Sequence, residues 1–374
     1  MSKSFQIDEV ILRVIKLPLK EPFTTSLWTT PHKTPIIVEM KGQGISGWGE
    51  GAVPLFPFYN HETPQTVLHI LKDFALPLFF KEKPSTPHEL AILLKRIQRN
   101  GFARAALEMA YWDWSAKAQG KPLYQVLGGS RDEIPVGVSI GIQKDISTLV
   151  SKVAAFREEG YQRIKIKIAP GKDLEPVKAL LSEFPGLPLM VDANSAYTLK
   201  TAGVFREMNP YQLLMIEQPL HETDIYEHSL LQKDLTNPIC LDESIESVRE
   251  AEAAIALKSC KIINIKPGRV AGLSESLAIH DLCAREDIPV WCGGMLESGI
   301  GRATNMALAT LPNFRFPGDI SESSRYYHED IVEPDITLRT GGTLRLPHQP
   351  GIGFEINFKR LEQLKQYEER FLAS

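Results

Sequence analysis

The run Ile164-Lys165-Ile166-Lys167-Ile168 decides the fold together with four later segments: Leu189-Met190-Val191-Asp192-Ala193-Asn194, Leu213-Leu214-Met215-Ile216-Glu217-Gln218, Ile239-Cys240-Leu241-Asp242-Glu243 and Ile262-Ile263-Asn264-Ile265-Lys266. Each is a short apolar stretch that ends in a charged residue. Lys167 to Asp192, Asp192 to Glu217 and Glu217 to Asp242 are each 25 residues, and Asp242 to Lys266 is 24. A β-rich run, a polar connection and a helical pattern repeated at this period read as successive βα units of a parallel sheet. In a (β/α) barrel the carboxyl ends of the strands form one face over a shared centre, so these charges are expected to converge.

Convergence brings repulsion. Three ionised carboxylates about 4 Å apart repel by roughly 4 kcal/mol per pair at an effective dielectric near 20. A hard divalent cation relieves this, and one carboxylate from each of three strands suits Mg²⁺, with Asp192, Glu217 and Asp242 as ligands and Mn²⁺ as a substitute. The lack of His or Cys at these strand ends argues against zinc. Lys165 and Lys167 alternate with isoleucines, so both face one way. Two ammonium groups held close disfavour each other's protonation, which allows one to serve as a base near neutral pH. Lys266 approaches from the sixth strand, across the ring. The chemistry expected is proton transfer beside a metal-bound carboxylate.

Lys-x-Lys, Asp-x-Asn, Glu-Gln-Pro, Asp-Glu-Ser and the late Asn-x-Lys-Pro-Gly stand in the order and spacing of the enolase superfamily. The chain resembles its muconate lactonizing subgroup over essentially its whole length. Gly293-Gly294-Met295-Leu296-Glu297-Ser298-Gly299-Ile300-Gly301-Arg302 and Pro317-Gly318-Asp319-Ile320-Ser321 resemble the branch of o-succinylbenzoate synthases and N-acylamino acid racemases. The superfamily works with a Lys or His base and Mg²⁺ on an enediolate. The resemblance implies Lys167 and Lys266 as the acid/base pair and Asp192, Glu217 and Asp242 as metal ligands. Lys165 would neutralise the substrate carboxylate; Asn194 and Glu243 would support the metal site, and Arg269 would tune Lys266. Ser139, Gly293, Met295, Phe23, Tyr59 and Asn194 are the expected substrate contacts. Ala271 stands where relatives often have Gly, a change expected to matter little.

The same resemblance implies a (β/α)7β-type TIM barrel with an N-terminal α+β capping domain: residues 1–128 as cap, 129–325 as catalytic barrel, and 326–374 returning to the cap. The bulk numbers agree. With 374 residues, 43% hydrophobic and 24% charged, the chain is long enough for a barrel plus a smaller domain. A net charge of −4 gives no reason to expect nucleic acid or an anionic membrane as partner. The expected partner is a small carboxylate, with homo-oligomer formation. Cys240, Cys260, Cys283 and Cys292 show no paired spacing, which reads as reduced and cytoplasmic. Lys3, Asp8 and Glu9 interrupt any leader-like apolar run, and no membrane-length apolar segment occurs.

Residues 5–48 alternate as an antiparallel meander interrupted by a Thr-rich loop at 20–33, and a second loop spans 51–63. The resemblance implies that these two loops cover the barrel mouth. Residues 63–120 read as helices, with Trp112-Asp113-Trp114 packing cap on barrel. Val136 to Ile142 is the expected first barrel strand, Ile288 to Cys292 the seventh, and Phe314-Arg315-Phe316 begins the last. Residues 360–371 read as a charged helix. His221, His228, His280 and His328 read as surface residues.

A single acid at a strand end more often caps the next helix than binds metal. Three at equal spacing, bracketed by lysines, make coincidence improbable. Arg302 and Arg325 read equally as carboxylate binders or as ion-pair residues. Dipeptide epimerases and cycloisomerases share this machinery, but the eighth-strand region lacks the Asp-x-Asp pair that dipeptide epimerases use. A non-catalytic small-acid binder and a Schiff-base aldolase using Lys167 are rivals of other classes.

Overall fold

The computed structural model describes residues 7–25 and 28–373. Positions 1–6, including Lys3 and the opening of the expected meander at Phe5, lie outside the described residues, as do 26, 27 and 374.

The cap is built on a four-stranded antiparallel sheet ordered Lys365–Leu372, Glu9–Ile15, Ile36–Gly42, Ile45–Gly51. Gln43 and Gly44, both at positive φ (54° and 73°), make the two-residue turn of its hairpin. The last strand reads Gly47-Trp48-Gly49-Glu50-Gly51, and its glycines let the Ala-rich helix Gly101–Ala118 lie directly on the backbone. A Cβ at Gly49 would sit 2.1 Å from the Ala106 carbonyl oxygen, and one at Gly47 2.3 Å from that of Ala110. Trp112 and Trp114, roughly 200° apart around that helix, face opposite ways. Trp112 joins the barrel core and Trp114 the cap core.

The barrel strands are Val138–Ile140, Ile164–Lys167, Leu189–Asp192, Ile216–Glu217, Ile239–Leu241, Ile262–Ile265 and Val290–Cys292, all parallel and in sequence order. Residues 314–318 join the two edges through parallel bridges of Phe314 to Val290 and Gly318 to Val136. The 25-residue interval is visible in the register: Lys167 pairs with Asp192, and Asp192 with Glu217. Glu217 then pairs with Cys240, so Asp242 stands two residues further along its chain.

Cap and barrel are fastened by buried glutamates whose oxygens accept from backbone N–H groups left unpaired at helix N-termini. Glu108 accepts from Leu273 N and Ser274 N, both at 2.8 Å, at the start of helix Leu273–Arg285. Glu50 accepts from Ser298 N at 3.0 Å and Gly301 N at 2.9 Å, at the start of helix Gly299–Leu308.

Four expectations change. The Thr-rich loop is a bulged hairpin of Leu17–Thr24 and Thr29–Lys33. The charged helix expected at 360–371 is a short helix, Phe358–Leu364, followed by the edge strand Lys365–Leu372. Pairing with the first strand, and the Glu368 to Arg13 ion pair at 2.9 Å, override helix propensity there. His228 and His280 are buried: His228 accepts from Leu220 N at 3.1 Å and His280 from Asn313 N at 3.1 Å, so both satisfy backbone inside the fold. Burial lowers His228 to about 4, keeping it neutral. Ala271 has φ +70°, a left-handed conformation that costs an L residue roughly 1–2 kcal/mol, so its methyl group is not on an indifferent loop. Among the described residues no helix is long and apolar enough to cross a membrane.

Candidate active site

Lys165 and Lys167 sit on one face of the second strand, with Ile164 and Ile166 on the other. Lys167 Nζ donates to Asp192 Oδ2 at 2.5 Å and to Asn194 Oδ1 at 2.8 Å. Lys165 Nζ lies among three carboxylates, 2.5 Å from Asp319 Oδ2, 2.8 Å from Glu217 Oε2 and 3.3 Å from Asp192 Oδ2. From the sixth strand, Lys266 Nζ reaches Asp242 Oδ2 at 2.7 Å, while Arg269 takes the other Asp242 oxygen. Asn264 links the two halves, donating from Nδ2 to Glu217 Oε1 at 2.7 Å and Asp242 Oδ1 at 3.1 Å. Asn194 and Gln218, at φ +43° and +39°, hold the ends of their strands in the left-handed region, the kind of strain that gathers at functional sites.

These contacts change the electrostatic expectation. Carboxylate repulsion is met by four basic side chains of the chain itself, Lys165, Lys167, Lys266 and Arg269. Burial alone would raise Asp192 and Asp242, yet Lys167 and Lys165 hold the first below its usual range, and Lys266 and Arg269 hold the second below. Glu217 is raised by burial and by its two acidic neighbours, and Glu243 is pushed to about 8 by burial, Asp242 and Asp192. Burial opposes the charge on Lys165 and Lys266, but the surrounding carboxylates outweigh it and keep both charged. Mutual repulsion of the second-strand lysines therefore does not neutralise Lys165 in this arrangement.

A cavity of about 90 Å³ lies above this lattice, with both Lys167 and Lys266 in its wall. Of the expected substrate contacts, Phe23, Tyr59, Ser139, Lys165, Asn194 and Met295 line it. Ser139 Oγ is buried and has no hydrogen-bond partner among the described residues. Gly293 is not in the lining and Gly294 is; a Cβ on Gly293 would meet Asn264 and Lys266 at 2.4 to 2.6 Å, so its role is to leave room for them. Glu243 accepts from Asn194 Nδ2 at 2.8 Å, and Arg269 contacts Asp242, the carboxylate that also receives Lys266. Past Trp28, Tyr59 and Asn194 the cavity adjoins a larger vestibule of about 540 Å³.

Three contributors escaped the sequence reading. Asp319, at the end of the strand-like closure, binds Lys165 and also Arg163 Nη2 at 2.6 Å. Asn264 carries no charge to mark it, though it sits two residues before Lys266. Lys33 is buried in the cavity wall, donates to the carbonyls of Ala52 and Val53 at 3.2 and 3.1 Å, and is lowered by burial to about 8. Arg302, of the two arginines weighed, is the buried one, and it lines the cavity.

The donor set suits a hard divalent cation: three carboxylates from neighbouring strands, with Glu217 crowded by like charge on both sides. Among the described residues no three acidic, His or Cys side chains are gathered into a ready cage, because lysine and arginine nitrogens occupy oxygens that a metal would use.

Residues 7–128 match the model of the mandelate racemase / muconate lactonizing enzyme N-terminal domain, and residues 148–360 match that of the enolase C-terminal domain-like family. The chain is 49% identical to an o-succinylbenzoate synthase of Bacillus subtilis, over 94% of this chain and 95% of the relative. It is 41% identical to an N-succinylamino acid racemase of Thermus thermophilus, over 99% and 100%. A crystal structure of an enolase-superfamily member from Listeria innocua superposes with a TM-score of 0.95, at 42% identity, covering 99% of this chain and all of that one, 100%.

Proposed function

The chain belongs to the mandelate racemase / muconate lactonizing enzyme family of the enolase superfamily, and on that footing we propose that it is an o-succinylbenzoate synthase that also racemises N-succinylamino acids. The reaction common to both is removal of a proton α to a carboxylate. In this reading residues 1–128 cap the site, 129–325 carry the chemistry and 326–374 return to the cap.

The observation that carries it is one cavity walled by Lys167 from the second strand and Lys266 from beside the sixth, with the row Asp192, Glu217, Asp242 between them. Family members depend on a divalent metal, here magnesium with manganese as substitute. Held by Asp192, Glu217 and Asp242, it supplies Lewis-acid stabilisation of the charge that develops on the substrate carboxylate. Lys165 supplies a fixed positive charge to that same carboxylate. In the synthase direction, Lys167 takes the α-proton of 2-succinyl-6-hydroxy-2,4-cyclohexadiene-1-carboxylate. The electron pair of that C–H bond passes into the carboxylate to give the enediolate, then collapses into the new ring double bond as the C–O bond of the neighbouring carbon breaks on the same face, and protonated Lys167 gives its proton to the departing hydroxyl, which leaves as water. Lys266 stays protonated beside the enediolate. In the racemase direction one lysine removes the α-proton and the other delivers a proton to the opposite face. Tyr59, Trp28 and Phe23 narrow the mouth and exclude water.

Dipeptide epimerisation is disfavoured, because Asp319, the acid at the eighth-strand position, is already committed to Lys165 and Arg163. Four cysteines are buried and unpaired, which supports a reducing, cytoplasmic setting.

The test is conversion of the cyclohexadiene carboxylate to o-succinylbenzoate, followed by absorbance with Mg²⁺ and with EDTA. Turnover abolished by EDTA and by Lys167→Ala supports the proposal. Metal-independent turnover, or borohydride trapping of Lys167 as a Schiff base, would refute it.

A further inference from the structure

Lys165 poses a problem that the mechanism does not solve. Its ammonium group has three N–H bonds and three carboxylate neighbours: Asp319 at 2.5 Å, Glu217 at 2.8 Å and Asp192 at 3.3 Å. Two of those three are the carboxylates that the proposed function assigns to the metal. A divalent cation on Asp192 and Glu217 competes with Lys165 for the same oxygens and repels it, since like charges at such separations disfavour each other. Left with those two partners alone, Lys165 would either block the ligands or be driven out of the site.

Asp319 is placed to prevent both. It stands outside the metal set and makes the shortest of the three contacts with Lys165. It is buried, and its other oxygen, Oδ1, receives Arg163 Nη2 at 2.6 Å. Arg163 in turn donates from Nε and Nη2 to the Pro317 carbonyl oxygen at 3.3 and 3.0 Å, and lies over the Trp291 ring at 5.1 Å. The Asp319 backbone N–H donates to Cys292 O at 2.9 Å, which fixes the carboxylate to the closure of the barrel. Asp319 thus has a rigid mounting on one side and Lys165 on the other.

We propose that Asp319 is a positioning residue that holds Lys165 off Asp192 and Glu217, keeping those carboxylates open to the divalent cation and the ammonium group beside the substrate carboxylate. This rests on the metal assignment of the proposed function. Once Asp192 and Glu217 are engaged elsewhere, Lys165 retains Asp319 as a one-to-one partner. Its two other N–H bonds then become free to meet an incoming carboxylate.

The experiment is a double-mutant cycle on magnesium affinity, measured by calorimetry without substrate, for the full-length wild type, Asp319→Asn, Lys165→Met and the double variant. Asp319→Asn is expected to weaken magnesium binding about tenfold, because Lys165 falls back onto the ligands. In the Lys165→Met background the same change is expected to alter affinity by less than about twofold, since no ammonium group remains to be held. Asp319→Glu, which keeps the charge, is expected to restore most of the loss, and Lys165→Gln serves if Lys165→Met does not fold. An equal loss in both backgrounds would show simple removal of a negative charge and overturn this inference alone. No effect of Asp319→Asn in the wild-type background would overturn it too. Absence of magnesium binding in the wild type, or binding unaffected by Asp242→Asn, would overturn the metal assignment and the inference with it.

Discussion

Replacing Arg269 with Met strips the site of its most heavily engaged cation. Arg269 is 3% exposed and spends its donors on Asp242 Oδ1, Ile245 O at 2.8 Å, Asn264 O at 2.6 Å and Tyr59 OH at 3.2 Å. Met fills much of the volume, so the loss lies in polar satisfaction. Two buried carbonyl oxygens lose a partner at about 1–3 kcal/mol each, and Asp242 keeps only Lys266 and Asn264. Removing one partner of a buried ion pair costs about 3–5 kcal/mol, and since these effects overlap we take about 3–5 kcal/mol in all. Unfolding entropy of about 2 cal/mol/K per residue, over a chain of 374, turns that into a Tm lowered by roughly 4–6 °C. Lys would not substitute, because one ammonium group cannot reach Asp242, Ile245 O and Asn264 O together. With Lys266 the one basic side chain left on Asp242 among the described residues, the pair tightens, and proton exchange through Lys266 falls about tenfold while exchange through Lys167 is unchanged. Calorimetric melting and ²H exchange on each enantiomer of N-succinylphenylalanine measure the two effects. A Tm within 1 °C of wild type, or equal loss of exchange for both enantiomers, would mean that Arg269 neither anchors Asp242 nor sets its pairing with Lys266.

Ala271→Gly removes left-handed strain of about 1–2 kcal/mol against an unfolded-chain entropy gain of about 0.4–1, so denaturant unfolding should show stabilisation by about 0.5–1 kcal/mol; destabilisation would contradict it. Glu50 is raised by burial to about 7 from 4.5, so the folded protein binds that proton more tightly than the unfolded chain. Its contribution to stability is full below pH 4.5 and falls as pH rises to about 7; Glu50→Gln should flatten that segment of a stability–pH curve, and an unchanged slope would count against it. Gly49→Ala forces a methyl group to within 2.1 Å of the Ala106 carbonyl oxygen and should separate the helix from the sheet, seen as loss of soluble folded protein; a well-folded variant would mean the packing is looser than described.

The barrel was legible because its strands are buried on both faces and therefore read as apolar runs, each closed by a charge that has no business in a core unless it faces a site. The alternation of Ile164 to Lys167 gave the direction of both lysines, and the register of Lys167, Asp192 and Glu217 follows from the repeat length. What was hidden depended on long-range partners. Asp319 is 154 residues from Lys165 in sequence, and nothing local says that it meets Lys165 and Arg163. The strand Lys365–Leu372 has helix-forming residues and becomes a strand only because Glu9–Ile15 offers an unpaired edge. His228 and His280 carry polar rings into the interior only because backbone N–H groups of Leu220 and Asn313 await them there. Carboxylate repulsion was foreseen, but its relief by four basic side chains was not, since spacing along the chain does not show how far each of them reaches.

In the proposed reaction Lys167 and Lys266 act on opposite faces of one α-carbon. The most direct measurement is Mg²⁺-dependent ²H incorporation from D₂O into D- and L-N-succinylphenylalanine by wild type, Lys167→Ala and Lys266→Ala, each against an EDTA control. Expected are exchange of both enantiomers by wild type, loss of at least 100-fold for one enantiomer in the first variant and for the other in the second, and none with EDTA. Both variants losing the same enantiomer, or exchange surviving EDTA, would contradict it.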